Sequence, residues 1–168
     1  MNSRVKPIPA GMHTLTPHLV VKNAGKAIEF YKKAFDAEEI GRLAAPDGKS
    51  ILHADLKIGD SHVFLVDEFP EMDCRGPQSI GATPVTIHMY VEDVDAAFGK
   101  AVAAGAQVKM PLADLFWGDR YGVLTDPFGH DWSVATHKKD LTPEQIRKGA
   151  QAACAETAVA RNRTVNRG

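Results

Sequence analysis

The chain has 168 residues, 44% of them hydrophobic and 24% charged, with 20 basic against 21 acidic side chains and a net charge of −1. So even a balance gives no field to recruit nucleic acid or an anionic membrane, and the expected partner is a small molecule or another copy of the chain. Cys74 and Cys154 are too few and too distant for a disulfide framework or a cysteine-rich metal knot; with no apolar signal core at the start and no apolar run near the ~20 residues of a spanning helix, the expected location is cytoplasmic.

Residues 1–12, with Pro7, Pro9 and Gly11, read as an irregular N-terminal arm. A strand is predicted over Thr14–Lys22, then a helix capped by Asn23 with Ala27, Ile28, Tyr31 and Phe35 at helical spacing. Glu38–Leu43, Ile51–Ile58 and His62–Asp67 read as strands, separated by the turns Pro46-Asp47-Gly48 and Gly59-Asp60. Residues 13–68 therefore form a βαβββ module. Residues 69–83, rich in proline and glycine, read as a linker.

The pattern then restarts. Thr16-Pro17-His18-Leu19-Val20-Val21 returns 70 positions later as Thr86-Ile87-His88-Met89-Tyr90-Val91. A strand over Val85–Val91 leads to a helix capped by Asp93 and stopped by Gly105, with Val94, Ala97, Phe98 and Val102 on its apolar side. Strands at Val108–Leu112, Arg120–Leu124 and His130–His137 complete a second βαβββ module over residues 84–138, with Asp126-Pro127-Phe128-Gly129 as a turn. Such a repeat signals two similar units, neither of which buries its apolar face alone. Over residues 139–168, Thr142-Pro143-Glu144-Gln145 opens an Ala-rich C-terminal helix with a capping box, and a polar tail follows.

Several segments carry a family resemblance. They are Thr16-Pro17-His18-Leu19-Val20-Val21, Ala27-Ile28-Glu29-Phe30-Tyr31, Ile58-Gly59-Asp60-Ser61, Tyr90-Val91-Glu92-Asp93-Val94-Asp95, Phe116-Trp117-Gly118-Asp119-Arg120-Tyr121-Gly122 and Asp126-Pro127-Phe128-Gly129-His130. Across about residues 14–145 the sequence resembles the vicinal oxygen chelate superfamily, which includes glyoxalase I, extradiol dioxygenases and the bleomycin and fosfomycin resistance proteins, and within it the PhnB-like branch. The resemblance implies an α+β fold in which two βαβββ modules in pseudo-twofold arrangement form a curled mixed sheet around a cleft, with the C-terminal helix outside the repeat. It also implies a homodimer and, in many members, a divalent metal that binds vicinal oxygens of a substrate.

Carried over by position, the family's metal ligands fall on Thr16 and Thr86 on the first strands. Counted four residues past Gly59 and Gly129, they fall on Val63 and Ser133 on the last. Two threonines, a valine and a serine are poor ligands for zinc, nickel or iron. A displaced set remains in His18, His88 and Asp67, two imidazoles and a carboxylate of the kind that make a facial triad. His137 stands at the position 70 residues after Asp67. The candidate ligand-binding residues are Thr16, His18, Asp67, Thr86, His88, Tyr90, Trp117, Arg120 and Tyr121; Arg120 suits an anionic group, and Trp117 and Tyr121 a flat one.

Three chemistries stay open. The first is a glyoxalase- or bleomycin resistance-like protein that binds a small molecule in the cleft without the usual metal. The second is a metal-dependent lyase, isomerase or dioxygenase acting through His18 and His88 on vicinal oxygens. The third is a metal-free enzyme with His18 or His88 as general base. Phosphate-binding loops and serine or cysteine nucleophile motifs are missing from the sequence, which disfavours nucleotide and acyl-transfer chemistry.

Overall fold

The computed structural model describes residues 5–165, with side chains as far as residue 155; the end of the predicted polar tail lies outside the described residues. The first module runs β1 (His18–Val21), α1 (Ala24–Phe35), β2 (Glu38–Ala44), β3 (Ile51–Ile58) and β4 (Ser61–Asp67). A 3₁₀ turn at Pro70–Met72 and a short helix α2 (Pro77–Ile80) occupy the linker. The second module runs β5 (Thr86–Tyr90), α3 (Val94–Ala104), β6 (Gln107–Asp114), β7 (Asp119–Thr125) and β8 (Asp131–His137), and α4 (Pro143–Val165) follows.

Each module folds into its own four-stranded mixed sheet, ordered β1-β4-β3-β2 and β5-β8-β7-β6, with the first strand parallel to the last and the others antiparallel. β1 and β5 are therefore edge strands. β1 starts at His18, later than the sequence pattern indicates, because Pro17 has no N–H to donate to the ladder; its carbonyl still accepts from Phe64 at 2.8 Å. Pro111 sits inside β6, where the register shifts on an outer strand, the setting in which a sheet tolerates proline.

Local chemistry sets the helix boundaries. Asn23 and Asp93 accept from Lys26 N and Ala96 N, capping α1 and α3 at equivalent places in the repeat. Gly105 ends α3 at φ +117°, a conformation that suits glycine. Thr142 and Gln145 form the reciprocal capping box at the start of α4.

The apolar faces of α1 and α3 pack on their sheets and on each other, giving one core shared by both modules. Leu19 and Val21 of β1, Ala54 and Leu56 of β3, Val63 and Leu65 of β4, and Trp132 and Val134 of β8 point into it. Phe35 of α1 meets Trp132 of the second module at a ring-centroid distance of 4.8 Å, and Phe30 meets Phe128 at 6.1 Å. Polar bonds join the modules too. Buried Asp126 accepts from Tyr31 Oη at 2.6 Å, and His130 Nε2 donates to the Val20 carbonyl at 3.1 Å.

Candidate functional site

Because strand side chains alternate, each sheet has a core face under its helix and an opposite, open face. His18 lies on the open face of the first sheet. Its ring is 6.3 Å from that of His53 and 6.1 Å from that of Phe64, and burial, then the neighbouring His53, lowers its pKa. His88 lies on the open face of the second sheet, where its Nδ1 pairs with Ser133 Oγ at 2.8 Å.

Around His88 the open face carries a run of rings. Tyr90 stands edge-on to His88 at 4.6 Å, and Tyr121 is stacked at 6.0 Å. Trp117 meets Tyr121 at 5.5 Å and Phe116 at 4.9 Å. Two of them, Tyr90 and Trp117, turn their polar tips to one carboxylate, which His137 also reaches. Asp119, 4% exposed, accepts from Tyr90 Oη at 2.9 Å, Trp117 Nε1 at 3.0 Å and His137 Nδ1 at 2.7 Å. Burial alone would raise the Asp119 carboxyl, but these three hydrogen bonds outweigh it and hold it below the usual range. His137 Nε2 also donates, to Asp140, and with both nitrogens facing carboxylates the imidazole pKa is raised, chiefly by Asp119. Sequence reasoning did not select Asp119 as a site residue. The signal for it was the Trp117-Gly118-Asp119-Arg120-Tyr121 run.

Arg120 faces the other way. Its guanidinium grips Asp95 at the start of α3 with two bonds of 2.6 and 2.7 Å, with Asp114 as a further partner, so it holds β7 to α3. The adjacent carboxylates, Asp95 above all, raise its pKa further.

Asp67 also leaves the expected set. Its two oxygens accept from Ala24 N and Ile51 N, both at 2.8 Å, so the carboxylate ties the start of α1 to the start of β3. It shares the core-facing parity of Val63 and Leu65, opposite to His18. In the second module that task belongs to Thr136, whose Oγ1 accepts from Val94 N at 2.9 Å. The last strands therefore correspond with a shift of 69, not 70: Phe64 lies opposite His18, and Ser133 opposite His88. The cause lies upstream of these strands: α3 has 11 residues where α1 has 12, so the second module has already lost one residue when its β6 begins. One residue of slip moves a side chain to the other face.

The metal positions follow from this. Val63 is in the core, Ser133 is committed to His88, and Thr16 and Thr86 offer only hydroxyls. His18, Asp67 and His88 do not converge, and no three His, Cys, Asp or Glu side chains among the described residues are grouped as a metal would require. The residues of this chain do not fit the family's metal site.

One cavity lies where the modules meet. It has a volume of about 700 Å³ and follows the unpaired edge of β5. Ile87, Met89, Phe35 and Trp132 form apolar walls, His88 and Tyr90 add polar groups, and Leu15 and Pro17 cover one side. His62 also lines it, from the start of β4. Among the candidate residues, His88 and Tyr90 reach this cavity; Trp117 and Tyr121 extend the ring face beside them, whereas Thr16, His18, Asp67, Thr86 and Arg120 are not among its lining residues.

Two βαβββ modules sharing one core define a two-module glyoxalase-type architecture. The chain belongs to the Glyoxalase/Bleomycin resistance protein/Dioxygenase superfamily, whose model matches residues 11–134. An uncharacterized protein of Mycobacterium bovis is 52% identical over 137 residues, covering 79% of this chain and 89% of the relative. Among solved structures, TioX from Micromonospora sp. ML1 is 30% identical, with a TM-score of 0.60 over 74% of this chain and 98% of TioX. The PhnB protein of Bacillus cereus, at 18% identity and a TM-score of 0.57, covers 74% of this chain and 99% of its own, and shares the fold. Among the described residues no helix is long and apolar enough to cross a membrane.

Proposed function

We propose that this protein binds a small, largely apolar molecule in the inter-module cavity, without the family's metal. The cavity carries the reading. Its volume of about 700 Å³ is within the ~300–1,000 Å³ typical of small-molecule sites, which are mostly apolar with a few placed polar groups. Here Ile87, Met89 and Phe35 supply the walls, and His88, oriented by Ser133, and Tyr90, tied to Asp119, supply directed polar edges. The donor set gives the metal-dependent alternative no comparable support.

A second copy is the proposed macromolecular partner. β1 and β5 both leave an edge unpaired, and Leu15, Val85 and Tyr90 beside them are 86%, 66% and 60% exposed. Edges of this kind invite pairing.

Trp132 lines the cavity and Trp117 does not, so a Trp117→Phe protein reports on the cavity through one indole. Titration with a panel of planar metabolites and antibiotics is expected to change its emission saturably, and a Met89→Trp plug should abolish the response as seen by ligand depletion in dialysis. A ligand that binds equally well to the plugged protein would refute the assignment. Light scattering after gel filtration tests the dimer.

A further inference from the structure

The first module holds a histidine–carboxylate pair that neither the ring face nor the core employs. His62 Nδ1 donates to Asp55 Oδ1 at 2.7 Å, and the two side chains are only 12% and 16% exposed. His62 lines the inter-module cavity. Its Nε2 faces the N-terminal segment, where a side chain begun at Gly11 would come within 3.8 Å of it, and no described residue hydrogen-bonds to that nitrogen. His137 is the contrast: both of its nitrogens are taken up by carboxylates, so neither is open to a ligand. With Nδ1–H committed to Asp55, the neutral ring of His62 carries its lone pair on Nε2. The other titratable groups on the cavity are His13, His88, Tyr90, Asp60 and the ion pair of Lys100 with Asp36.

We infer that His62, oriented by Asp55, is a metal-independent general base that takes a proton from an acidic C–H of a small planar substrate in the cavity. This rests on the cavity being the binding site. In the step, the C–H bond breaks, its electron pair stays on the substrate, and the proton goes to Nε2. Asp55 stabilises the imidazolium that forms and selects the tautomer, without touching the substrate. Asp55 is thus a positioning residue.

The probe is 5-nitrobenzisoxazole, a planar carbon acid. Loss of its ring C–H proton sends the electron pair into a nitrile and opens the N–O bond, releasing a coloured phenolate. In EDTA, the wild-type protein is expected to turn it over saturably. His62→Gln should lose about 100-fold, the lower end for a positioned base. Asp55→Asn should lower kcat and leave KM unchanged, with far-UV circular dichroism unchanged in both variants. Saturable quenching of Trp132 by the probe is read in parallel in the Trp117→Phe background. Saturable quenching with no turnover, or with equal turnover in His62→Gln, overturns the base and leaves the binding site standing. No saturable quenching overturns the cavity reading and this inference together.

Discussion

The bond between Tyr31 and Asp126 ties α1 of the first module to the β7–β8 loop of the second, and its removal has a calculable cost. Asp126 is 4% exposed, and its oxygens take four donors: Tyr31 Oη at 2.6 Å and Trp132 Nε1 at 2.9 Å on Oδ2, Phe128 N at 2.9 Å and His130 N at 3.0 Å on Oδ1. Burial first, and then the Asp126 carboxylate, push the Tyr31 phenol well above its usual range, so it remains the donor. A hydrogen bond to a charged group contributes about 1.5–3 kcal/mol net, so Tyr31→Phe is expected to cost about 2 kcal/mol. In Asp126→Asn the amide oxygen keeps the two backbone donors and the NH2 turns toward Tyr31 and Trp132. The phenol can rotate to accept, but the indole N–H cannot. That orphaned buried donor costs about 1–3 kcal/mol, and with the lost charge on the other bonds the total is about 3 kcal/mol. The double variant should fall short of the sum by about 1 kcal/mol, because both changes remove one bond. Urea unfolding followed by far-UV circular dichroism measures all four proteins, and a loss of 2 kcal/mol corresponds to a Tm lowered by about 4–8 °C for a chain of this size. A Tyr31→Phe protein within about 0.5 kcal/mol of wild type, as for an inconsequential surface change, or strict additivity, would refute the reasoning.

Asp67→Ala should cost about 2 kcal/mol by orphaning Ala24 N and Ile51 N, while elemental analysis of the purified protein shows the same metal content as wild type; a fall in bound metal would restore Asp67 as a ligand. Gly118→Ala places a Cβ 2.3 Å from the Lys139 carbonyl oxygen at φ +103°, and the combined strain and clash should cost at least about 2 kcal/mol; an unchanged thermal melt would count against it. Because the folded-state pKa of His137 is raised above 6.5, its contribution is fully present below that value and is lost as pH rises through the folded pKa. The stability difference between wild type and His137→Gln should therefore shrink with rising pH, and a difference flat across that window would contradict the Asp119–His137 pairing.

Much of the fold is legible because it is written in local chemistry. Asn23 and Asp93 cap their helices through their own side chains, and Gly105 ends α3 at positive φ. The Thr142–Gln145 box needs no distant partner. The ring face was legible in part, since Trp117, Tyr121, Tyr90 and His88 were each selected from short motifs and come together on the second sheet. Asp67 and Arg120 were not legible as structural residues. Each is satisfied by partners distant in sequence: Asp67 by Ala24 N, 43 positions away, and Arg120 by Asp95, 25 away.

The sequence by itself determined two βαβββ modules, their helix caps, their turns and the extra C-terminal helix. Only the tertiary structure decided which strand face each chemical group occupies. A repeat offset counted through helices of 12 and 11 residues drifts by one residue, and in a strand one residue is the difference between core and open face. That drift places Asp67 beneath α1 and leaves His137 on the open face with Asp119. It also separates the three side chains that looked like a metal site. The pairing of His62 with Asp55 beside the cavity likewise depends on how β3 lies against β4, on where the N-terminal segment crosses, and on how the modules meet. No local pattern encodes those distances, because they arise from packing between elements far apart in the chain.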